Sequence, residues 1–443
     1  MKKGALPALV LLAGFLLLTL GPVLSGYDQF YNKSIDMDKS HVPVVRHFAE
    51  QLPSIDLSDY NSATTPGLHV FLALITRIFG DSVTLMQVVT CGFGAGLVFL
   101  TWWYASRVVA PWVAFAVTLP LALNPYVLGN SIWVMTDNLS LGMVAIVIGS
   151  SVFLAPTPRR LTVVSLAIIG AILVRQINLW TVAGAMLGVL AGAPGIRERL
   201  PWHDSLDDEW SLGNLRVITI GIIAGIFTLS WFIWMWGGLV PPTYAEYHAG
   251  GINLAVAAYC LTMLGAYALP MSILFCNELL TRPFVRRRTV MGLLIGLAVG
   301  LAFNTAPGIE FGRNGGWLWT LADALPVIGG RSLLLVLGSA IGGATAGLMF
   351  GLAGHAGRSR AGYLLIFFSI SFIAAYTANS QAFQRYFDPP ILLLIGWSLA
   401  IAHRENDGVD RRIMIAGLGC AAMQLVFAGW TLYRPLFMSG PAG

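Results

Sequence analysis

The stretch ALPALVLLAGFLLLTLGPVL, residues 5–24, carries no charged side chain over its whole length. A helix of about 20 apolar residues spans the hydrocarbon core of a bilayer, whereas a cleavable signal peptide has an apolar region of only about 7–15 residues. Lys2 and Lys3 precede the stretch. We therefore interpret it as an uncleaved signal-anchor helix whose N-terminus lies in the cytoplasm.

The rest of the chain has the same apolar character. Of its 443 residues, 56% are hydrophobic and 11% are charged, and the mean hydropathy is +0.74. Soluble proteins carry about 25% charged residues, so a soluble fold of this composition would have too little polar surface. We predict an all-α polytopic membrane protein. In such a protein the net charge of +5 mainly fixes membrane orientation and does not indicate nucleic-acid binding.

Apolar runs bounded by charged or Pro/Gly-rich segments predict about thirteen membrane-spanning helices. Their approximate ranges are 5–25, 83–106, 108–128, 138–155, 161–175, 177–194, 217–239, 252–275, 289–305, 332–353, 361–378, 390–402 and 413–432. Residues 67–79 are also apolar but too few to span. Counting them as a span would put Arg159 and Arg160 outside, so the positive-inside rule favours a helix lying on the outer surface.

This topology divides the chain into regions of one transmembrane domain, residues 1–443. They are a first outer loop with interfacial helices (26–82), an N-terminal helical module (83–194), a cytoplasmic loop (195–216) and a C-terminal, variable helical module (217–443). Most basic residues fall on the cytoplasmic side, where no Walker loop, GxGxxG or HExxH motif occurs. We expect a prokaryotic inner or plasma membrane, with the functional face towards the periplasm or exterior.

Ionisable and polar residues gather in the outer segments, several of them at predicted span ends, where they are costly unless paired or used. We select as candidate site residues Asp36, Asp38, His41, Thr65, Asp137, Arg175, Gln176, Glu246, His248, Gln384, Arg385 and Tyr386.

Two segments of the first outer loop resemble a known enzyme family. They are MDKSHVP at 37–43 and DYNSATTPGL at 59–68. They are similar to the first luminal loop of the dolichyl-phosphoglucose α-1,2-glucosyltransferase of asparagine-linked glycan assembly, and RQIN at 175–178 resembles the RQTN motif of that family. FGDS at 79–82 is similar to the segment that opens a span in the wider group of C-type (GT-C) membrane glycosyltransferases. The chain departs from the family at Lys39, where an acidic residue is usual, and lacks the second proline of TTPPG.

This resemblance implies a GT-C fold and an inverting hexosyltransferase, with glucose favoured. Its donor would be a polyprenyl-phosphate sugar, because nucleotide sugars are cytoplasmic, and its acceptor a glycan or lipid-linked glycan at the outer face. The phosphate is already a stable leaving group, so one carboxylate suffices as general base. Asp38 matches the aspartate of the family's first loop and is the expected base. Asp36 is the rival base, and a loop-capping role for Asp38 also stays open.

Cationic side chains would bind the departing phosphate. Arg175 and Arg385 are the expected ligands, the second because the RY..P element at 385–389 is similar to one in many C-type enzymes. Arg175 could instead form a structural ion pair, and Arg385 could pair with Asp388. His248 is a further candidate for phosphate or acceptor binding, unless it simply faces water.

The remaining candidates are assigned to substrate binding. Asp137 could hold the acceptor or a metal, or cap its helix. No cofactor is predicted with certainty. A divalent ion such as Mg²⁺ or Mn²⁺ stays open, although no carboxylate cluster beyond Asp36 and Asp38 is evident.

Two other classes of function remain. A transporter or flippase of lipid-linked glycans should carry ionisable residues near the bilayer midplane and show internal repeats. Here the ionisable residues gather at one interface and no repeat is evident. A non-catalytic scaffold would give the polar outer loop no purpose. The sequence therefore favours the enzyme, with membrane lipid as a partner and no nucleic acid.

Overall fold

The protein is an integral membrane protein built almost wholly of helices. The computed structural model describes residues 4–26, 36–58, 60–191, 193, 211–245, 251–308, 314–404 and 409–433.

Nine α-helices lie in the described residues of the N-terminal half. They are α1 (Ala5–Ser25), α2 (Val42–Gln51), α3 (Gly67–Phe79), α4 (Val83–Ala105), α5 (Pro111–Ala122), α6 (Pro125–Ile132), α7 (Asp137–Phe153), α8 (Pro158–Val174) and α9 (Thr181–Leu190). A π-helical turn, Met37–His41, leads into α2, and a 3-10 turn, Gln176–Trp180, leads into α9.

The C-terminal half continues the bundle. Its described α-helices are α10 (Leu212–Trp236), α11 (Pro242–Ala245), α12 (Ala255–Tyr267), α13 (Leu269–Leu274), α14 (Cys276–Thr281), α15 (Pro283–Ala302), α16 (Trp317–Asp323), α17 (Leu333–His355), α18 (Ser359–Thr377), α19 (Asp388–Ile401) and α20 (Val409–Ala428). The strands are two residues each: β1 (Asn314–Gly315), β2 (Val327–Ile328), β3 (Arg331–Ser332) and β4 (Ala382–Phe383). A 3-10 turn, Gln384–Tyr386, and a π-helical turn, Gly429–Tyr433, complete the secondary structure.

Each predicted apolar run contains helix, but the count of thirteen spans is not confirmed. Among the described residues, six helices are long and apolar enough to cross a membrane: Ala5–Ser25, Val83–Ala105, Leu212–Trp236, Leu333–His355, Ser359–Thr377 and Val409–Tyr433. The pair α5 and α6 makes a seventh if it is one span bent by 70°. Other apolar helices are shorter. The 14 residues of α19, for example, extend about 21 Å at 1.5 Å per residue, less than the hydrocarbon core of about 30 Å.

The predicted interfacial helix is present as α3. Leu68, His69 and Leu72 are buried on one face of it, whereas Ile78 and Phe79 near its end are each 68% exposed. A helix that buries one face and exposes apolar side chains elsewhere is typical of a helix in contact with lipid. Its place on the outer surface, like the orientation of the whole chain, stays a prediction.

Close helix packing in the C-terminal half depends on small residues. A Cβ on Gly343 of α17 would lie 2.2 Å from the carbonyl oxygen of Gly292 in α15, and one on Gly342 would lie 1.7 Å from the carbonyl oxygen of Leu261 in α12. The three backbones can approach this closely only because side chains are missing at the contacts, as is common between membrane helices.

Candidate functional site

A cavity of about 900 Å³ with several charged side chains in its wall is formed where the described residues between α1 and α3 meet the ends of several helices. Its wall includes eight of the twelve predicted site residues: Asp36, His41, Asp137, Arg175, Gln176, Gln384, Arg385 and Tyr386. These residues come from parts of the chain far apart in sequence. These eight residues therefore meet in one cavity, whereas their roles and their place at the outer membrane face stay predictions.

Arg175 follows the last residue of α8 in an extended conformation, and its backbone N–H donates to the carbonyl oxygen of Ala171 at 2.8 Å. Its guanidinium forms an ion pair with Asp137, the first residue of α7, and both side chains are 14% exposed. The structural ion pair considered from the sequence thus exists, at the cavity wall. The N-cap position of α7 is occupied by Thr136, so Asp137 does not cap this helix.

Arg385 forms the second ion pair of the cavity. Its Nη1 lies 2.8 Å from Oδ2 of Asp36, and the two side chains are 33% and 48% exposed. The alternative pairing with Asp388 is wrong, because that carboxylate is buried and accepts from Tyr267 and Gln384 instead. One arginine therefore links the first outer loop to the segment before α19.

The Tyr386 ring brings the two arginines together. The guanidinium carbon of Arg175 lies 4.8 Å from the ring centroid and that of Arg385 lies 5.2 Å from it. Both distances are within the range of a cation–π contact. Two positive charges are thus held beside one ring, each with a carboxylate partner, which makes the site suitable for an anion that can replace a carboxylate.

A buried network fixes the Gln384–Tyr386 turn. Tyr267 donates to Oδ2 of Asp388 at 2.7 Å, and Gln384 donates to the same oxygen at 3.1 Å. The side-chain oxygen of Gln384 accepts from the backbone N–H of Leu318 at 3.2 Å. The parallel pairing of β1 with β4 anchors the preceding residues. Tyr267 and Asp388 were not among the predicted site residues, and no local signal marks Tyr267, which lies in an apolar run.

Asp38, the expected base, is exposed and is not part of the cavity wall, whereas Asp36 is. The π-helical turn that follows Asp36 separates the positions of these two side chains. The geometry therefore favours the rival base, Asp36.

Thr65 also differs from its expected role in substrate binding. It is fully buried, does not line the cavity, and donates to the carbonyl oxygen of Ile172 at 2.5 Å. It ties the first outer loop to α8. Gln176, which does line the cavity, donates to the carbonyl oxygens of Ala63 at 2.8 Å and Leu239 at 3.0 Å.

His41 is the cavity end of a row of hydrogen-bonded rings. Its Nδ1 lies 2.8 Å from Nε2 of His69, whose Nδ1 lies 2.9 Å from the hydroxyl of Tyr60. Burial lowers the pKa of His41 to about 4, although the nearby charges of Asp137 and Asp36 oppose this shift. At neutral pH His41 is therefore an uncharged hydrogen-bonding group. Sequence reasoning missed His69, because a histidine within an apolar helix gives no indication of its partners.

Two predicted site residues, Glu246 and His248, lie outside the described residues. Among the residues that the structure describes, no group of three or more His, Cys, Asp or Glu side chains comes together as a metal site would require. Asp36 and Asp137 each face an arginine instead.

Fold and cavity together define an integral membrane protein whose helix ends enclose a cavity with charged side chains in its wall. No family model and no curated protein matches the chain. A solved structure similar to it is that of ArnT from Cupriavidus metallidurans bound to undecaprenyl phosphate, with 13% sequence identity over 99% of this chain and 81% of that one. The TM-score is 0.39, too low to establish a common fold, so the functional proposal depends on the geometry of this chain.

Proposed function

We propose that the protein is a GT-C glycosyltransferase that moves a hexose from a polyprenyl-phosphate sugar to a glycan or lipid-linked acceptor. The observation that carries this proposal is the cavity in which Arg175 and Arg385 flank the Tyr386 ring and Asp36 pairs with Arg385. Phosphate binding needs cations, and deprotonation of an acceptor hydroxyl needs a carboxylate. The resemblance of the first outer loop favours glucose as the sugar and the outer membrane face as the location.

The donor phosphate would bind between the two arginines. Arg385 is the more accessible of the two, since its side chain is 33% exposed against 14% for Arg175. A phosphate oxygen approaching Arg385 competes with Asp36 for the same guanidinium. Donor binding would therefore release the Asp36 carboxylate, which is the group needed for the next step.

Asp36 would then act as the general base. It takes the proton from an acceptor hydroxyl as that oxygen attacks the anomeric carbon, and the bond from that carbon to the phosphate oxygen breaks. Attack opposite the leaving phosphate inverts the anomeric configuration. The arginines stabilise the charge on the departing phosphate. A cavity of about 900 Å³ has a volume typical of small-molecule sites.

The polyprenyl chain needs an apolar path from the same arginines. A small cavity of about 40 Å³ behind them is lined in part by Trp180, Phe372 and Pro390. Phe372 also lines an apolar groove of about 100 Å³ between α12, α17, α18 and α19. We assign the prenyl tail of the donor to this groove, because Phe372 lines both the groove and the small cavity that Arg175 and Arg385 also line.

The test is sugar transfer by the purified protein from synthetic short-chain polyprenyl phosphate glucose to a panel of octyl hexosides. We expect an inverted glycosidic product. Asp36→Asn should lower kcat by about 10²–10⁴, the usual contribution of a general base, with the donor still bound. Asp38→Asn is the matched control, two residues away and exposed, and should keep full activity.

Loss of activity in Asp38→Asn but not in Asp36→Asn would contradict the base assignment. If no donor of the panel is consumed, while a lipid-linked glycan crosses the membrane of proteoliposomes that contain the protein, the chain is a transporter and the proposed function is wrong.

A further inference from the structure

Three aromatic side chains connect the cavity to the interior of the first outer loop. His41 lines the cavity. His69 and Tyr60 behind it are 0% and 1% exposed, and hydrogen bonds of 2.8 and 2.9 Å join the three in a row. Tyr60 is in turn stacked between Phe48 and Trp236, with ring centroids 5.7 and 5.9 Å from its own. The row is thus rigid at its inner end and open to the cavity at its outer end.

The hydrogen bonds of this row can run in two directions, depending on which ring nitrogen of each histidine carries the proton. Tyr60 can donate to His69, which then donates to His41 and leaves Nε2 of His41 protonated. In the opposite direction His41 donates to His69 and His69 to Tyr60, so that Nε2 of His41 is an acceptor. Both directions are available because each imidazole can carry its proton on either ring nitrogen, and the Tyr60 hydroxyl can donate or accept.

The row stays uncharged in either direction. Burial lowers the pKa of His41 to about 4 and that of His69 well below its ordinary value, and it raises the pKa of Tyr60. A neutral imidazole is a weak ligand for a phosphate anion. It is well suited to a sugar hydroxyl, which like the imidazole can donate or accept. The ligand class that fits this end of the cavity is therefore a neutral, hydroxylated one.

His41 is also on the correct side of the cavity for the acceptor. Asp36 and His41 stand at the two ends of a single π-helical turn and both line the cavity. Nδ1 of His41 is bonded to His69, so Nε2 is the ring nitrogen that remains for a ligand. A sugar bonded there would have its hydroxyls beside the Asp36 carboxylate.

We propose that His41 binds a hydroxyl of the acceptor sugar, and that His69 and Tyr60 are positioning residues that hold its ring. This inference depends on the proposed function for the identity of the sugar as acceptor. It predicts that the residues behind His41 affect acceptor binding without affecting donor binding, which a general loss of structure would not do.

The first experiment is a cycle of protein and acceptor changes. His41→Phe should lower kcat/KM for the best octyl hexoside roughly 10- to 100-fold, which corresponds to about 1.4–2.8 kcal/mol for the lost hydrogen bond. The KM for polyprenyl phosphate glucose should not change. With the wild-type protein, one monodeoxy form of that hexoside should show a kcat/KM lower by the same factor. With His41→Phe, the kcat/KM for this monodeoxy form should equal that for the complete hexoside. Additive losses for every monodeoxy form would overturn the proposal.

Tyr60→Phe tests the positioning role because it keeps the stacked ring and removes only the hydroxyl. We expect a several-fold rise in acceptor KM and no change in donor KM or in the unfolding temperature by more than a few degrees. The matched control is His47→Phe, a histidine exposed on α2, which should change neither KM. A rise in both KM values for Tyr60→Phe would indicate a structural role only and would contradict the proposal.

A measurement that does not need turnover separates this inference from the proposed function. The ring nitrogens of His41 are followed by ¹⁵N NMR in histidine-labelled protein while the octyl hexoside is added. We expect the Nε2 resonance to shift at saturation in the wild type and to shift less in Tyr60→Phe. An Nε2 resonance unchanged at saturating hexoside would overturn the proposal, even if sugar transfer is observed. A shift without any transfer would leave the contact supported and the proposed function wrong.

Discussion

The two arginines of the cavity should respond differently to the same substitution. Arg175 and Arg385 both pair with a carboxylate and both contact the Tyr386 ring. The two pairs differ in exposure: the side chains are 14% and 14% exposed in the first, against 33% and 48% in the second. We therefore expect Arg175→Met to destabilise the protein far more than Arg385→Met, although both should weaken donor binding.

The magnitudes follow from the environment of the carboxylate that remains. Arg175→Met leaves Asp137, whose side chain is only 14% exposed, without its cation, and the cost approaches the value for a buried pair, about 3–5 kcal/mol. Arg385→Met leaves Asp36 half in water, where the lost pair is worth about 0–1 kcal/mol. Each arginine would give the phosphate a charge-assisted hydrogen bond worth about 1.5–3 kcal/mol. Donor affinity should thus fall roughly 10- to 100-fold in either variant.

Unfolding of the detergent-solubilised protein measures the first effect, followed by the fluorescence of its 14 tryptophans. Titration with polyprenyl phosphate glucose measures the second. The double variant Arg175→Met with Asp137→Leu should recover much of the stability lost in Arg175→Met, because no unpaired buried charge remains. Equal destabilisation by the two single variants, or a double variant no more stable than Arg175→Met, would refute this reasoning.

Two further predictions concern stability. His41 has its pKa lowered to about 4 against an unfolded value of about 6.5, so the unfolded chain binds the proton first. The contribution of neutral His41 to folding stability is therefore present above about pH 6.5 and is lost as the pH falls towards 4. The unfolding temperature of His41→Phe should depend less on pH over this range than that of the wild type. Parallel curves of unfolding temperature against pH for the two proteins would contradict this prediction. Gly342→Ala should cost about 1–3 kcal/mol because its Cβ meets a helix backbone, whereas Gly92→Ala, with no atom within 4 Å, should gain up to about 1 kcal/mol. Equal unfolding free energies for the two glycine variants would be inconsistent with the packing described.

The helical nature of the chain could be predicted because it depends on local composition. An apolar run in lipid must satisfy its backbone hydrogen bonds internally, and a helix does this within the run itself. The number of spans could not be predicted in the same way. Hydropathy does not distinguish a straight span from the 70° bend between α5 and α6, which lies next to Pro125, or from a helix as short as α19.

Many of the residues that line the cavity could be predicted from where charge occurs. A polar residue at the end of an apolar run has a cost that must be offset, and eight of the chosen residues do line one cavity. The choice between Asp36 and Asp38 was not predictable. Asp36 and Asp38 are two residues apart, so the directions of their side chains depend on the local backbone conformation. Here that conformation is a π-helical turn, which the sequence does not indicate.

The sequence alone determined that the protein lies in lipid, that it is helical, and which segments concentrate the charged residues. Each of these depends on the type of residue at each position. The tertiary structure alone decided the partners. Asp36 and Arg385 pair across 349 positions of sequence, and Arg175 pairs with Asp137 while Asp388 takes a hydrogen bond from Tyr267. Charges attract according to distance and burial, and both of these quantities exist only once the helices have packed.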